Sequence, residues 1–384
     1  RAGTVDRDVR RRQPPRQLTR IKDVAALGGD TLKKCFQCAT CSVVCPISPD
    51  NKPFPRKEMI AASWGLKDRV IKNADIWLCH NCGDCSTKCP RGAKPGDVLG
   101  ALRSLAIAEY AVPKGLGKAV NDPKKLPILI LLPVIIFIVL GLATGLLDFT
   151  PAGDEIVHSK FFSSWLVDMI FVPLAGWVAV IFALGIKNFV TDIHENAVST
   201  GKTDKKDFDQ KEYLLALIKV IPTILKHSKF SECGENKERS SGHLMVLYSF
   251  IGLFIVTNIF FVTLYGLQIH GPYSQINPVK WLANISGVVL VAGGYLLMKS
   301  RMDKKDQTNS YKDWYLIGLV LGLGVSGMLT EITRLAGWAA GSYALYFIHL
   351  IFVFNLFAFL PFSKLAHLVY RTLAMAYAEY SSRK

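Results

Sequence analysis

The chain has 384 residues, half of them hydrophobic, yet it carries a formal net charge of +16 from 46 basic and 30 acidic residues. A mean hydropathy of +0.26 at that charge density is too high for an ordinary soluble globule and fits a polar head joined to a membrane bundle. The basic residues gather in loops between apolar runs, away from any nucleic-acid motif, which argues against a nucleic-acid partner and for membrane topology.

In chain order, residues 1–20 are basic and proline-containing with no apolar h-region. They are expected to be a flexible arm, or one lying along a partner chain, and not a secretory signal. Two copies of one cysteine pattern follow: Cys35, Cys38, Cys41, Cys45 with Pro46, and Cys79, Cys82, Cys85, Cys89 with Pro90. Both read C-x2-C-x2-C-x3-C-P, the spacing of bacterial ferredoxins with two 4Fe-4S clusters, in which the fourth cysteine reaches the other cluster. The expected ligand sets are Cys35, Cys38, Cys41 and Cys89 for one cluster, and Cys79, Cys82, Cys85 and Cys45 for the other. Zinc is a poor competitor because C-x2-C-x2-C crowds three thiols into seven residues. Structural disulfides would need an oxidising compartment.

Between the motifs, PRKEMIAASWGLKDRVIKNADIWL is rich in helix formers, with Pro55 placed to open a helix. Residues 97–110 form another amphipathic segment. The head, residues 21–125, is therefore expected to be an α-helical ferredoxin with Phe36, Trp64 and Trp77 packed around the clusters. His80, beside Cys79, reads as a surface residue or as a hydrogen-bonding neighbour of a cluster.

From residue 126 the pattern changes. Six apolar segments, at about 127–147, 162–187, 244–265, 279–298, 314–335 and 341–362, approach the roughly 20 residues that span a bilayer. Pro133 and Pro173 are tolerable within spans where neighbouring helices satisfy the freed carbonyls. Lysines crowd the loop 187–243 and the segment after the fourth span, whereas the opposite loops offer only Lys160 and Lys280. The positive-inside rule then puts the head, both basic loops and the C-terminus in the cytoplasm, across the inner membrane. Residues 126–377 form the expected transmembrane domain, with the cytoplasmic loop 188–243, and 378–384 a C-terminal tail. Within that loop EYLLALIKVIPTILKHSKF is amphipathic, suited to the membrane surface, to a place under the head, or to an ordinary loop helix. Cys233 reads as a free thiol, and His194 and His227 as surface residues.

Histidines in or near the spans are candidate haem b ligands. His349 lies inside span six and His367 lies 18 residues later, five helical turns or about 27 Å if one helix continues through Pro361. His243 opens span three at nearly the depth of His367, so those two are expected to clasp an inner haem. His349 has two open readings, an outer haem or a quinone. His158 and His270, near the outer side, read as too shallow. Asp168, Glu331 and Arg334 are candidates for a quinone site, with helix pairing of Glu331 and Arg334 an equal alternative.

KKCFQCATCSVVCP and WLCHNCGDCSTKCPRGAKPGD resemble the iron–sulfur subunit of heterodisulfide reductases. Span six with PFSKLAHLVY resembles the last helix of nitrate reductase gamma subunits, which carries two haem-ligating histidines at the same separation; that resemblance implies a further histidine ten residues after His243, where this chain has Leu253. The fusion of both parts resembles the C subunits of quinone-interacting membrane-bound oxidoreductase (Qmo) complexes. That resemblance implies menaquinol oxidation, one haem b or two, flavin-containing partners similar to the A subunits of heterodisulfide reductases, and adenylylsulfate reductase downstream. The alternative is an electron donor to a heterodisulfide-cleaving or trisulfide-handling partner. The expected fold is mostly α, an α-helical 2×(4Fe-4S) ferredoxin head followed by a six-helix transmembrane haem b bundle.

Overall fold

A computed structural model describes residues 21–50, 52–151, 155–227, 239–303 and 310–382. The expected arm 1–20 and Cys233 lie outside these residues. Among the described residues the chain is mostly helical, and an isolated β-bridge joins Leu147 and Phe162.

The chain forms two compact units. The first comprises Arg1–Ala106, Ile186–Glu235 and His367–Lys384, and the second Ile107–Gly185 and Asn236–Ala366. These divisions differ from the boundaries at 125 and 377 read from hydropathy. The reason is visible in the side chains of the first unit. Lys202 donates to Asn73 Oδ1 at 2.8 Å and to Asp75 Oδ2 at 2.9 Å, although 127 residues separate it from the aspartate. Trp77, fully buried, packs on Phe189 (5.7 Å between ring centroids) and on Tyr370 (5.3 Å). Polar loop and C-terminal helix thus join the cysteine segment through contacts that hydropathy does not register.

Within this unit helices run over Arg56–Ser63, with Pro55 at the N-cap as expected, then Lys67–Ile71 and Asp75–Leu78. The helix Pro95–Tyr110 follows the second motif. The amphipathic loop segment becomes the helix Gln210–Lys226, capped by the Asp209 carboxylate, which accepts from the Lys211 and Glu212 amides. Such a cap satisfies two of the helix's orphan N–H groups. The helix turns Tyr213, Ala216 and Val220 inward, and the Tyr213 hydroxyl donates to Leu373 O at 3.0 Å. His194 and His227 are not surface residues: both are buried. His194 Nε2 donates to Lys206 O at 3.1 Å and its Nδ1 meets the Tyr377 hydroxyl at 3.0 Å. The residues expected as a tail from 378 continue the helix His367–Tyr380, whose Tyr377 and Tyr380 are buried.

Six helices are long and apolar enough to cross a membrane: Pro123–Thr144, Ser164–Ser199, Ser240–Tyr265, Pro278–Asp303, Tyr311–Leu335 and Ala339–Ala358. Their outward residues, such as Ile128, Leu131, Ile135 and Val139, are exposed, as the lipid-facing surface of a multi-pass membrane protein requires. Spans three and four approach closely where a Cβ on Gly293 would fall 2.8 Å from Met245 Cβ and 3.0 Å from Gly242 O. Small residues allow such contact and the dispersion attraction that comes with it.

The sixth span ends at Ala358, earlier than expected. Two 3₁₀ turns follow, Leu360–Phe362 and Lys364–Ala366, with Ser363 extended between them, and a separate helix begins at His367. Pro361 has no N–H for an i→i−4 bond and its ring displaces the preceding carbonyl. His349 and His367 therefore do not share one helix, and the same-face argument for them fails. The break is held by Asp313, which pairs with Lys364 and, at 3.2 Å, with Arg301.

Candidate metal centres

The two cysteine motifs fold alike. In each, the residue before the second cysteine and the residue after it are left-handed: Gln37 (φ 63°) and Ala39 (φ 69°) in the first, Asn81 (φ 55°) and Gly83 (φ 101°) in the second. A left-handed backbone disfavours side chains with a Cβ, so Gln37, Ala39 and Asn81 mark loops whose curl is imposed. In both copies the third cysteine then sits on a single turn closed by the same bonds. Ser42 and Val43 N–H donate to Ala39 O, and Ser86 and Thr87 N–H donate to Gly83 O. The inward-turned N–H of Asn81 donates to Cys79 Sγ at 3.3 Å. Alternating left- and right-handed residues of this kind make a concavity lined by N–H groups that suits an anion.

The thiols fall into two sets. Cys41 lies in the field of Cys35, Cys38 and Cys89. Cys85 lies in that of Cys79, Cys82 and Cys45, and Cys45 in that of Cys79 and Cys82. Each fourth cysteine therefore sides with the opposite motif. Burial, and then the neighbouring thiols, push Cys41 up to about 11; burial pushes Cys45 up to about 12 and Cys85 upward as well. Cys38 is exposed, and its thiol is lowered, chiefly by hydrogen bonds from Thr40, with Arg56 adding positive field. Buried thiols this basic become thiolates at neutral pH only when a metal shares their charge. None of the eight described cysteines forms a disulfide, and among the described residues no group of three or more His, Cys, Asp or Glu is spaced for a single ion.

Two arginines unforeseen in the sequence brace the second motif. Arg103 donates to Ile76 O (3.1 Å) and Cys79 O (2.8 Å), and Arg371 Nη2 donates to His80 Nδ1 at 2.6 Å. Of the three aromatics expected around the clusters only Trp77 is buried. Trp64 is 70% exposed and Phe36 67% exposed. Phe36 points outward, where Arg91 covers its ring at 4.0 Å.

In the second unit, His349 Nδ1 lies 3.1 Å from Leu323 O and 3.1 Å from Ser326 Oγ. A carbonyl only accepts, so Nδ1 carries the proton and Nε2 keeps its lone pair. This is the state in which a histidine ligates a metal. The ring lies against Gly327, where a Cβ would come within 3.0 Å of Cε1. His158 packs against span six. Its segment is pinned by the Leu147–Phe162 bridge and by Ser163 N–H donating to Leu146 O. The ring lies on Tyr346 (4.8 Å), and Nε2 meets Ser342 Oγ at 2.9 Å. Ser342 Oγ in turn donates to Thr330 O, which makes His158 Nε2 the donor. Burial first, then the Arg334 charge, lowers His158 to about 4, and His349 is among the groups it senses. His270, the other outer histidine, is exposed.

Asp168 accepts from the Tyr265 hydroxyl. Glu331 is engaged by Lys280 (3.0 Å), Arg334 (3.0 Å) and Gln275. His243 is half-buried in the first turns of span three, and His367 is the half-buried first residue of its helix.

Residues 31–93 match the 4Fe-4S dicluster domain family. The chain is 34% identical over 112 residues to the C subunit of the H(2):CoB-CoM heterodisulfide,ferredoxin reductase of Methanothermobacter marburgensis, covering 26% of this chain and 60% of that protein. It is 33% identical over 90 residues to a protein of Archaeoglobus profundus that is itself like the C subunit of heterodisulfide reductase, covering 23% and 48%. It is 32% identical over 104 residues to the iron-sulfur C subunit of the CoB--CoM heterodisulfide reductase of Methanopyrus kandleri, covering 24% and 54%. The chain thus spans 60% or less of the length of these relatives. No solved structure matches it.

Proposed function

We propose that this chain is the membrane electron-transfer subunit of an oxidoreductase complex of the heterodisulfide reductase kind. The observation that carries the reading is the exchange of fourth cysteines between two identically curled motifs. Cys35, Cys38, Cys41 and Cys89 hold one 4Fe-4S cluster, and Cys79, Cys82, Cys85 and Cys45 the other. Bound cubanes and haem b supply one-electron redox chemistry. The chain's own residues fix their ligands, exclude water and tune the field: Arg103 holds the Cys79 carbonyl, and Arg371 holds His80 beside that ligand.

In the membrane, on sequence grounds alone, His243 and His367 would be the ligands of an inner haem. His349 is the outer ligand, supported by its Nδ1–H bond to Leu323 O, and His158 is its partner, in place of the histidine missing at Leu253. His349→Ala and His158→Ala should then each abolish the same low-spin haem spectrum and leave the cluster signals intact. Loss of that spectrum in only one of them would reject the pair. Asp168 accepts the proton of a menaquinol, with Tyr265 orienting it, while Glu331 and Arg334, engaged with Lys280, hold the outer helix ends. The basic loops keep the head in the cytoplasm.

Two partner readings remain. In one, menaquinol electrons pass to flavin-containing subunits and on to adenylylsulfate reductase. In the other, favoured by the kind of protein its relatives are, they pass to a partner that cleaves a heterodisulfide. In the purified complex, reduced haem b that is reoxidised by adenylylsulfate with its reductase selects the first. Reoxidation by a heterodisulfide alone selects the second.

A further inference from the structure

The two ends of the cysteine head are not equivalent. At the second motif Cys79 and Cys85 are buried, Cys82 is half-buried, and the residue after the first cysteine, His80, is held by Arg371. At the first motif the corresponding residue is Phe36, 67% exposed, and Cys38 is the one exposed thiol among the described residues. A phenyl ring left in water forgoes about 25 cal/mol for each Å² it could bury, which makes it a natural anchor for a partner. The surround is cationic. Arg91 lies over the Phe36 ring at 4.0 Å. Arg56 is fixed by donating its Nε–H to Gln37 O at 2.9 Å and its backbone N–H to Ser42 Oγ at 3.1 Å. Lys33 and Lys34, just before Cys35, are exposed; of the acids between residues 30 and 75, Glu58 and Asp75 are buried and Asp30, Asp50 and Asp68 are exposed.

We propose that the face formed by Phe36, Cys38, Arg56 and Arg91 is the docking surface for an acidic redox protein that exchanges single electrons with the adjacent cluster. The proposal rests on the cluster assignment above. One electron leaves a reduced iron–sulfur or flavin centre of the partner and enters the oxidised cubane, or the reverse; no bond is made or broken. Charge complementarity gives such a surface its speed and its selectivity. An exposed cluster ligand at its centre favours a redox protein over a lipid headgroup.

The test uses the full chain in detergent with a reduced acidic bacterial ferredoxin as donor, mixed by stopped flow. The ferredoxin-driven rate should fall roughly tenfold in Arg56→Glu/Arg91→Glu, and by a similar factor between about 50 and about 500 mM salt. Lys33→Glu/Lys34→Glu, which leaves the Arg56 and Arg91 contacts in place, should lower it in the same direction. Photoreduced deazaflavin, a small neutral donor, should reduce parent and variants alike, with both cubane signals present. Parent-like rates in both variants, or rates indifferent to salt, would overturn the docking surface. Absence of cubane signals from the unaltered chain would instead overturn the cluster assignment and the docking proposal with it.

Discussion

Removing the Lys202 side chain tests whether an ion pair holds the 186–235 segment in the cysteine-bearing unit. Lys202 Nζ sits 2.9 Å from Asp75 Oδ2 and 2.8 Å from Asn73 Oδ1, and Asn73 Nδ2 donates to Glu58 Oε1 at 2.9 Å. The Asp75 side chain is 1% exposed and that of Lys202 15%. Deleting one member of a buried pair costs about 3–5 kcal/mol, because the other charge stays desolvated. The slight exposure of the lysine puts Lys202→Met at the lower end, about 3 kcal/mol. Replacing both members by apolar residues removes the stranded charge and should cost much less. Lys202→Met with Asp75→Leu is therefore expected to be milder than the sum of the single variants by about 2 kcal/mol. Hydrogen exchange of the full chain reads this locally. Amides of the helices Asp75–Leu78 and Gln210–Lys226 should lose protection by roughly a hundredfold in Lys202→Met. A loss of no more than about 0.5 kcal/mol, the level of an ordinary surface substitution, would refute the reasoning.

Other consequences follow from the same geometry. Cys45→Ser should alter the EPR signal also altered by Cys79→Ser, and Cys89→Ser the one altered by Cys35→Ser; the opposite grouping would contradict the crossed sets. Gly293→Leu should force spans three and four apart, because even a Cβ there falls 2.8 Å from Met245 Cβ, and should cost several kcal/mol, read as a lower unfolding midpoint in detergent. His158, lowered to about 4 by burial, binds fewer protons folded than unfolded. Its contribution is thus complete above pH ~6.5 and is lost as pH falls towards 4, by about 3 kcal/mol. Measured on the haem-free chain, His158→Phe should flatten that part of the acid-unfolding profile, and an unchanged profile would contradict the burial of a neutral His158.

The parts of the molecule legible in the sequence are those set by local spacing. Cysteines at two-residue gaps, and apolar runs of bilayer length, state their purpose within a few turns of chain. The residues that escape such a reading are those whose partners are distant. His194 looks like a surface residue until Tyr377 and Lys206 bury it, and Lys202 looks like loop charge until Asp75 is found 127 positions away. Phe36 and Trp64 are expected inside because aromatics usually are, yet both lie mostly exposed in the structure. The break after Ala358 has its signal in Pro361, but the 18-residue spacing of His349 and His367 favours a continuous helix. His158 sits in a four-residue helix too short for periodicity to place, and only its contacts with Ser342 and Tyr346 bring it to His349's end of the bundle.

The central claim is that one chain carries two cubane clusters beside haem b. A redox-poised EPR and optical titration of the purified full chain, with iron and haem quantified on the same sample, tests it most directly. The account predicts two interacting cubane signals, and a haem content of two per chain that falls to one in His349→Ala. A chain that binds zinc in place of iron, or shows a single cubane and no low-spin haem, would contradict it.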